Sequence, residues 1–408
     1  MQSANRSIPS LLISLILFLS AALVFAVAIS MAFTAFLPLI SGNEIQAQGT
    51  IYGFGFGFEA LLLFVATYLC FQKYSEHALA DLQIQIRLKG WHILSLLFGA
   101  SLVLLLGYLV AENKNINWLI LPVLTIPAVA LPIGLIFGFG AHRLQLGPRW
   151  RVWGIFGLGM TLGPLILFML EIFVLIFFII LFAVYLISQP GLSNEIVTLT
   201  NQISLAQDDP QALINLILPY ALKPASIIAV LSFIALIVPF TEELVKPIGV
   251  WVFASKLESP AQGFALGALS GAAYSLIETI GSSGQTAGWA TLLITRIGTT
   301  LLHITSTALM GWGIALAWKK HQYLKLFAIY LFSSALHGMW NASAILYSYS
   351  LLAKELDPSS PLSSLTPFTF AFSIALAVIL LIILILGNKS LNQTNANDPI
   401  ENTGSVSP

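Results

Sequence analysis

The chain has 408 residues, 58% of them apolar and only 8% Asp, Glu, Lys or Arg, and its 17 basic and 17 acidic residues cancel. A soluble domain carries about a quarter charged residues, so this chain cannot cover itself with a water-compatible surface, and a soluble multidomain enzyme, a disordered chain and a coiled coil are excluded. Neutrality removes the basic footprint of a nucleic-acid partner, and the single cysteine, Cys70, removes a disulfide framework or a thiolate metal cluster. What remains is an all-α, polytopic integral membrane protein.

A spanning helix needs about 20 mostly apolar residues. Ten such stretches are predicted: 9–40, 51–72, 91–111, 118–140, 152–188, 225–255, 261–281, 289–318, 326–350 and 367–387. Their apolar runs are continuous rather than alternating, which excludes a β-barrel. The first five form an N-terminal membrane region over 1–190 whose role the sequence leaves open. The fifth is longer than one span needs, which predicts a tilt or an interfacial end. A polar extracytoplasmic loop covers 191–224, with a short surface helix expected near 212–222. After the next four spans, 351–388 holds an outer loop and the last span. The tail 389–408, rich in Asn, Ser, Thr and Pro, reads as disordered.

The basic residues set the direction. With the N-terminus cytoplasmic, the inner side receives Arg6, Lys73, Arg87, Lys89, Arg143, Arg149, Arg151, Lys256, Lys319, Lys320, Lys325 and Lys389, and the outer side only Lys114, Lys223 and Lys354. That asymmetry predicts a protein of the cell (plasma) membrane with both termini cytoplasmic.

Seven charged residues fall inside predicted spans: Glu59, Glu171, Glu242, Glu243, Lys246, Glu278 and Arg296. Glu59 and Glu171 read most simply as packed or interface-facing carboxylates. The other five lie between 242 and 296. An ionised residue at the bilayer centre costs about 2.5–3.5 kcal/mol on insertion scales, so five would cost roughly 15 kcal/mol unless they meet one another. Convergence is therefore expected. Glu242 and Lys246 are i,i+4 on one span, with Glu243 adjacent, and Pro239 and Pro247 loosen the flanking backbone. The next span has Tyr274 and Glu278 at i,i+4, after a Gly263, Gly267, Gly271 ridge that admits a close neighbour. The eighth span carries Arg296, His303 and Thr307, and the ninth carries His337 and Asn341.

This residue set permits hydrolysis inside the membrane. A carboxylate kept ionised by Lys246 or Arg296 can take a proton from water. An imidazole can orient that water or stabilise an oxyanion, and Asn341 can donate a second hydrogen bond. Alternatively His303, His337 and a glutamate, Glu278, supply the N/N/O ligands of a catalytic zinc. Both mechanisms use the same residue types, so the cofactor stays open between zinc and none. An aspartyl dyad is excluded because all five Asp lie in loops or the tail, and the His-Glu-x-x-His zincin motif is absent. Ser270 with His337 would serve a serine mechanism but leaves four charged groups unused.

Glu242-Glu243-Leu244-Val245-Lys246, Tyr274-Ser275-Leu276-Ile277-Glu278, Arg296 followed by His303, and His337-Gly338-Met339-Trp340-Asn341 resemble, in that order, the four motifs of the PrsW family of intramembrane proteases. That family is related to the CAAX prenyl-protein proteases and their bacterial immunity relatives, in which His would replace Glu278. Tyr stands where Phe is usual in the second motif, and Asn where Asp is common in the last. The resemblance covers 225–350. It implies a four-helix catalytic core with an endopeptidase activity on membrane protein or peptide substrates, such as anti-sigma factors. In this reading Glu242 and Glu243 hold or deprotonate the water and Lys246 and Arg296 keep carboxylates charged. His303, His337 and Glu278 surround the water or metal, with Tyr274 and Thr307 in support. The rival functions are a proton- or ion-coupled transporter, which would show an internal repeat that the sequence lacks, and a non-catalytic membrane scaffold.

Overall fold

The computed structural model describes residues 7–189 and 192–397; Arg6 lies outside them. The order is α1 (Ile8–Phe36), α2 (Ala47–Tyr74), β1 (Gln83–Gln85), α3 (Gly90–Ala111), α4 (Asn117–Ala141), β2 (Gln145–Pro148), α5 (Arg149–Met160) and α6 (Leu162–Ser188). Then come α7 (Leu192–Leu205), α8 (Pro210–Ala221), α9 (Pro224–Leu231), a π-helical turn (Ser232–Ile237), α10 (Val238–Val245) and α11 (Ile248–Val252). The chain ends with α12 (Pro260–Ser282), α13 (Trp289–Lys320), α14 (Tyr323–Leu356) and α15 (Thr366–Asn397).

Nine helical stretches among the described residues are long and apolar enough to cross a membrane. They match the expected spans except for 326–350. That segment is the helix α14, but Ser333, Ser334, His337, Asn341 and Ser343 make it more polar than the rest, and it is not among the nine. The two least apolar spans, α12 and α13, with mean hydropathy 1.2 and 1.3, are also the most buried. A span that meets protein on all sides needs no lipid-compatible face.

The chain divides into two compact units. The first comprises Met1–Pro164, Glu243–Ser333 and Ala377–Pro408, the second Leu165–Glu242 and Ser334–Leu376. This grouping cuts across the sequential blocks 1–190 and 225–350, because α12 and α13 pack with α2, α4 and α5 in the first unit. Glycines permit it. A Cβ on Gly55 of α2 would collide with Ile280, and one on Gly107 of α3 would enter the ring of Trp289, whose indole N–H donates to Thr125 of α4 at 3.1 Å. In the α12–α13 pair, Gly263, Gly267 and Gly271 lie against the backbone of Gly311, Thr307 and His303, so no side chain separates the helices there.

Three local features differ from the expected spans. The long fifth stretch is broken at Thr161 (φ −123°, ψ −71°), just before Gly163-Pro164, and gives α5 and α6 in place of one tilted helix. The sixth is interrupted twice, by the π turn and by a turn at Lys246-Pro247. The segment 389–397 is helical rather than disordered. Asn388 and Asn392 of α15 donate to the carbonyls of Gly140 and His142 at the end of α4, which anchors the extension; residues 398–408 lie outside the described ones. The loop 191–224 carries α7 and α8, and α8 starts on Asp209, whose carboxylate accepts from the N–H groups of Gln211 and Ala212. In the first unit β1 and β2 pair antiparallel, Ile84 opposite Gly147, and tie the loop after α2 to the loop after α4.

Candidate functional site

Within the first unit, the site is built from the end of α10, α12 and α13. Pro247 cannot donate a helical hydrogen bond, so α10 stops at Val245 and Lys246 lies in a turn. The freed carbonyl of Lys246 accepts from Ser270 Oγ on α12 at 2.7 Å. Sequence reasoning missed this role of Ser270; its signal was a hydroxyl within the glycine ridge facing a proline break.

The side chains of Glu243 and Lys246 are both 0% exposed, with Nζ 3.1 Å from Glu243 Oε1. The ammonium also lies 2.7 Å from Nδ1 of His303 on α13. An ammonium has hydrogens only to give, so Nδ1 accepts, which leaves the imidazole proton on Nε2. Nε2 in turn donates to Glu278 Oε2 at 2.7 Å, and Arg296 Nη2 lies 2.7 Å from the same oxygen. The ring of Tyr274 stands edge-on to His303 at 5.2 Å and under the Lys246 ammonium at 5.1 Å. Two carboxylates and two cations thus alternate around one imidazole with no net charge. This is how a buried set offsets the cost of desolvating each member.

The expected convergence of Glu243, Lys246, Tyr274, Glu278, Arg296 and His303 is present. Thr307 sits one turn beyond His303, its carbonyl against Gly267 at the crossing of α12 and α13. Glu278 departs from its expected place as a metal ligand. Its Oε2 is already held by a guanidinium and an imidazole, and an oxygen so engaged has little electron density to offer a cation. Its geometry is that of a carboxylate orienting a histidine. Glu59, by contrast, is buried on α2 with no hydrogen-bond partner for its carboxylate among the described residues.

Within the second unit, Glu242 Oε2 faces His337 Nε2 of α14 at 3.8 Å, both side chains largely buried. Two tetrahedral zinc ligands with bonds of 2.0–2.2 Å stand about 3.4 Å apart. A carboxylate oxygen and an imidazole nitrogen at this separation therefore fit a shared divalent ion with a small adjustment. Asn341 is placed differently from the expected oxyanion donor. Its Nδ2 donates at 2.9 Å to the carbonyl of Ile234 in the π turn. One turn earlier Gly338 abuts the carbonyl of Ala235, where no Cβ would fit. The π turn leaves carbonyls out of α-helical register, and α14 caps one of them with Asn341.

Apolar spanning helices that bury paired carboxylates, imidazoles and an ammonium define an integral membrane protein with a hydrolase type of polar set. The description PrsW family intramembrane metalloprotease matches residues 147–384, more than half of the chain and every polar residue above from Glu242 to Asn341. The chain belongs to the PrsW family and is an intramembrane protease acting on membrane substrates within the bilayer. No curated protein and no solved structure matches it.

Proposed function

We propose that the chain cleaves single-span membrane proteins, anti-sigma factors among them, by attack of a water on the peptide carbonyl, with Glu242 and His337 holding a divalent metal. The observation that carries this reading is the His303 relay. Glu278 and Arg296 fix the proton on Nε2 and turn the Nδ1 lone pair toward the Lys246 ammonium, which also holds the Glu243 carboxylate. Glu242 and His337 supply an oxygen and a nitrogen at a separation that suits a divalent ion.

A bound divalent ion would lower the pKa of its water and polarise the scissile carbonyl. The chain's own groups do the rest. Glu243, kept ionised by Lys246, takes the water proton as its oxygen bonds to the carbonyl carbon, and returns it to the amide nitrogen as the C–N bond breaks. Tyr274 closes one side of His303 and excludes solvent from it. The excess of Lys and Arg in alternate loops supports a plasma-membrane enzyme with both termini cytoplasmic.

The test is cleavage of a single-span substrate by the full-length protein in vesicles, with bound metal measured on the same preparation. Glu243→Gln should abolish cleavage and leave the metal in place, whereas His337→Ala should lose both. Undiminished cleavage in both variants rejects the reading. Cleavage that survives complete removal of metal rejects the metal and keeps the Glu/His water mechanism.

A further inference from the structure

The first unit holds a half-open cavity of about 330 Å³ that takes no part in the chemistry above. Its walls include Phe58 of α2, Gly134 of α4, Trp153 of α5, Leu276 of α12, and Ile84 and Ile86 at its cover. Apart from backbone, the lining is apolar. The cover is the β1–β2 ribbon and the chain just beyond it. Side chains alternate along a strand, so Ile84 and Ile86 turn into the cavity while Arg87 is exposed on the other face.

That outer face is cationic. No Asp or Glu occurs in 82–111 or in 142–170, while Arg87, Lys89, Arg143 and Arg149 do. Arg87, Lys89 and Arg143 are exposed, and Arg87 Nε is steadied by Gln85 Oε1 at 2.9 Å. Arg143 is held with φ +60°, its N–H on the Ile86 carbonyl at 2.7 Å. A non-glycine residue takes that left-handed conformation at a cost, which the surrounding bonds must offset. Trp91, 62% exposed at the start of α3, adds the amphipathic ring typical of a membrane–water boundary.

We propose that this cavity binds one acyl chain of an anionic glycerophospholipid, with the headgroup phosphate against Arg87, Lys89 and Arg143. An apolar hole opening beside the exposed Arg87, Lys89 and Arg143 at the end of the spans matches that ligand in both halves. A soluble metabolite would find no polar group inside to orient it. Leu276 forms part of the wall on the helix that also carries Tyr274 and Glu278, so an occupied cavity braces the helix beside His303. The inference does not depend on the metal or on the identity of the substrate.

The experiment titrates the purified full-length protein in neutral detergent with dioleoyl phosphatidylglycerol, dioleoyl phosphatidylcholine or oleate. It reads the thermal midpoint and, by native mass spectrometry, the lipid retained. Phosphatidylglycerol should raise the midpoint most and stay bound as a single molecule. Gly134→Leu should remove this response without lowering the midpoint in detergent alone, since a Cβ at Gly134 meets open space. Should Gly134→Leu fail to fold, Ala130→Val fills the same cavity less drastically and must weaken the response. The pair Arg87→Gln with Arg143→Gln should weaken phosphatidylglycerol binding about thirtyfold, at roughly fivefold per cation, down to the phosphatidylcholine level. A filled cavity that responds like the wild type, oleate or phosphatidylcholine equal to phosphatidylglycerol, or displacement of the lipid by a hydrophobic single-span peptide would each overturn the proposal.

Discussion

Lys246 Nζ lies between Glu243 Oε1, at 3.1 Å, and His303 Nδ1, at 2.7 Å, with no solvent contact. The lysine therefore does two things at once. It neutralises a carboxylate that would otherwise be stranded in a low-dielectric interior, and it decides which nitrogen of the histidine carries the proton.

Removing the cation alone should be severe. Lys246→Met leaves Glu243 buried without its partner, and breaking one side of a buried pair costs about 3–5 kcal/mol. Lys246→Met combined with Glu243→Gln should recover much of that loss, since neither charge remains. Thermal unfolding of the two single variants and the double variant in one detergent closes the cycle. Additive losses would mean that the pair contributes no coupling.

The relay beyond His303 predicts a kinetic phenotype. Glu278→Gln keeps the size of the side chain but removes the negative charge that fixes the imidazole proton on Nε2, and it leaves Arg296 facing a neutral amide. Partners of this kind are worth about 10–100-fold in activity or metal affinity. The loss should appear in kcat with KM little changed, because Glu278 orients a group and does not bind the substrate. A KM effect of the same size with kcat intact would contradict the assignment.

The polar cluster was legible in the sequence because membrane burial leaves so few reasons for a charge. Glu243, Lys246, Glu278, Arg296 and His303 had to meet, and they do. What the sequence could not convey was how each valence is used. Glu278 looks like a ligand until Arg296 is seen on its oxygen, and Asn341 like an oxyanion donor until the π turn presents the Ile234 carbonyl. The first follows from the packing of α12 on α13 and the second from a π turn, and hydropathy registers neither. The β1–β2 ribbon was missed for a similar reason. Its strands are three and four residues long and lie in separate loops, too short for any periodicity to show.

The glycine ridge makes a prediction that needs no chemistry. A Cβ at Gly271 would collide with the His303 carbonyl, so Gly271→Ala must push α13 away from α12. Overpacking of this kind costs about 1–3 kcal/mol, and the displaced histidine should lose its bond to Glu278 and with it the activity. Gly281, on the same helix, has open space at the corresponding position. Gly281→Ala should leave cleavage unchanged and, as alanine favours the helix, stability equal or higher. Equal behaviour of the two variants would exclude a role for close α12–α13 contact.

A pH dependence is expected from His142, which follows α4 outside the spans. Its Nδ1 accepts the backbone N–H of Leu88 at 3.0 Å, so the bond exists only while that nitrogen is unprotonated. Burial, and after it the neighbouring Arg143, hold the imidazole below its ordinary value of 6.5. The unfolded chain then binds more protons than the folded one in the range just below 6.5, and stability rises with pH there. The contribution is fully present above about pH 6.5 and is lost as the pH falls through the lowered folded value. His142→Gln keeps an acceptor near Leu88 but cannot titrate. Thermal midpoints of wild type and His142→Gln between about pH 5 and pH 8 should therefore diverge toward acid, with the wild type losing more. Parallel curves would show that the Leu88–His142 bond carries none of the acid sensitivity.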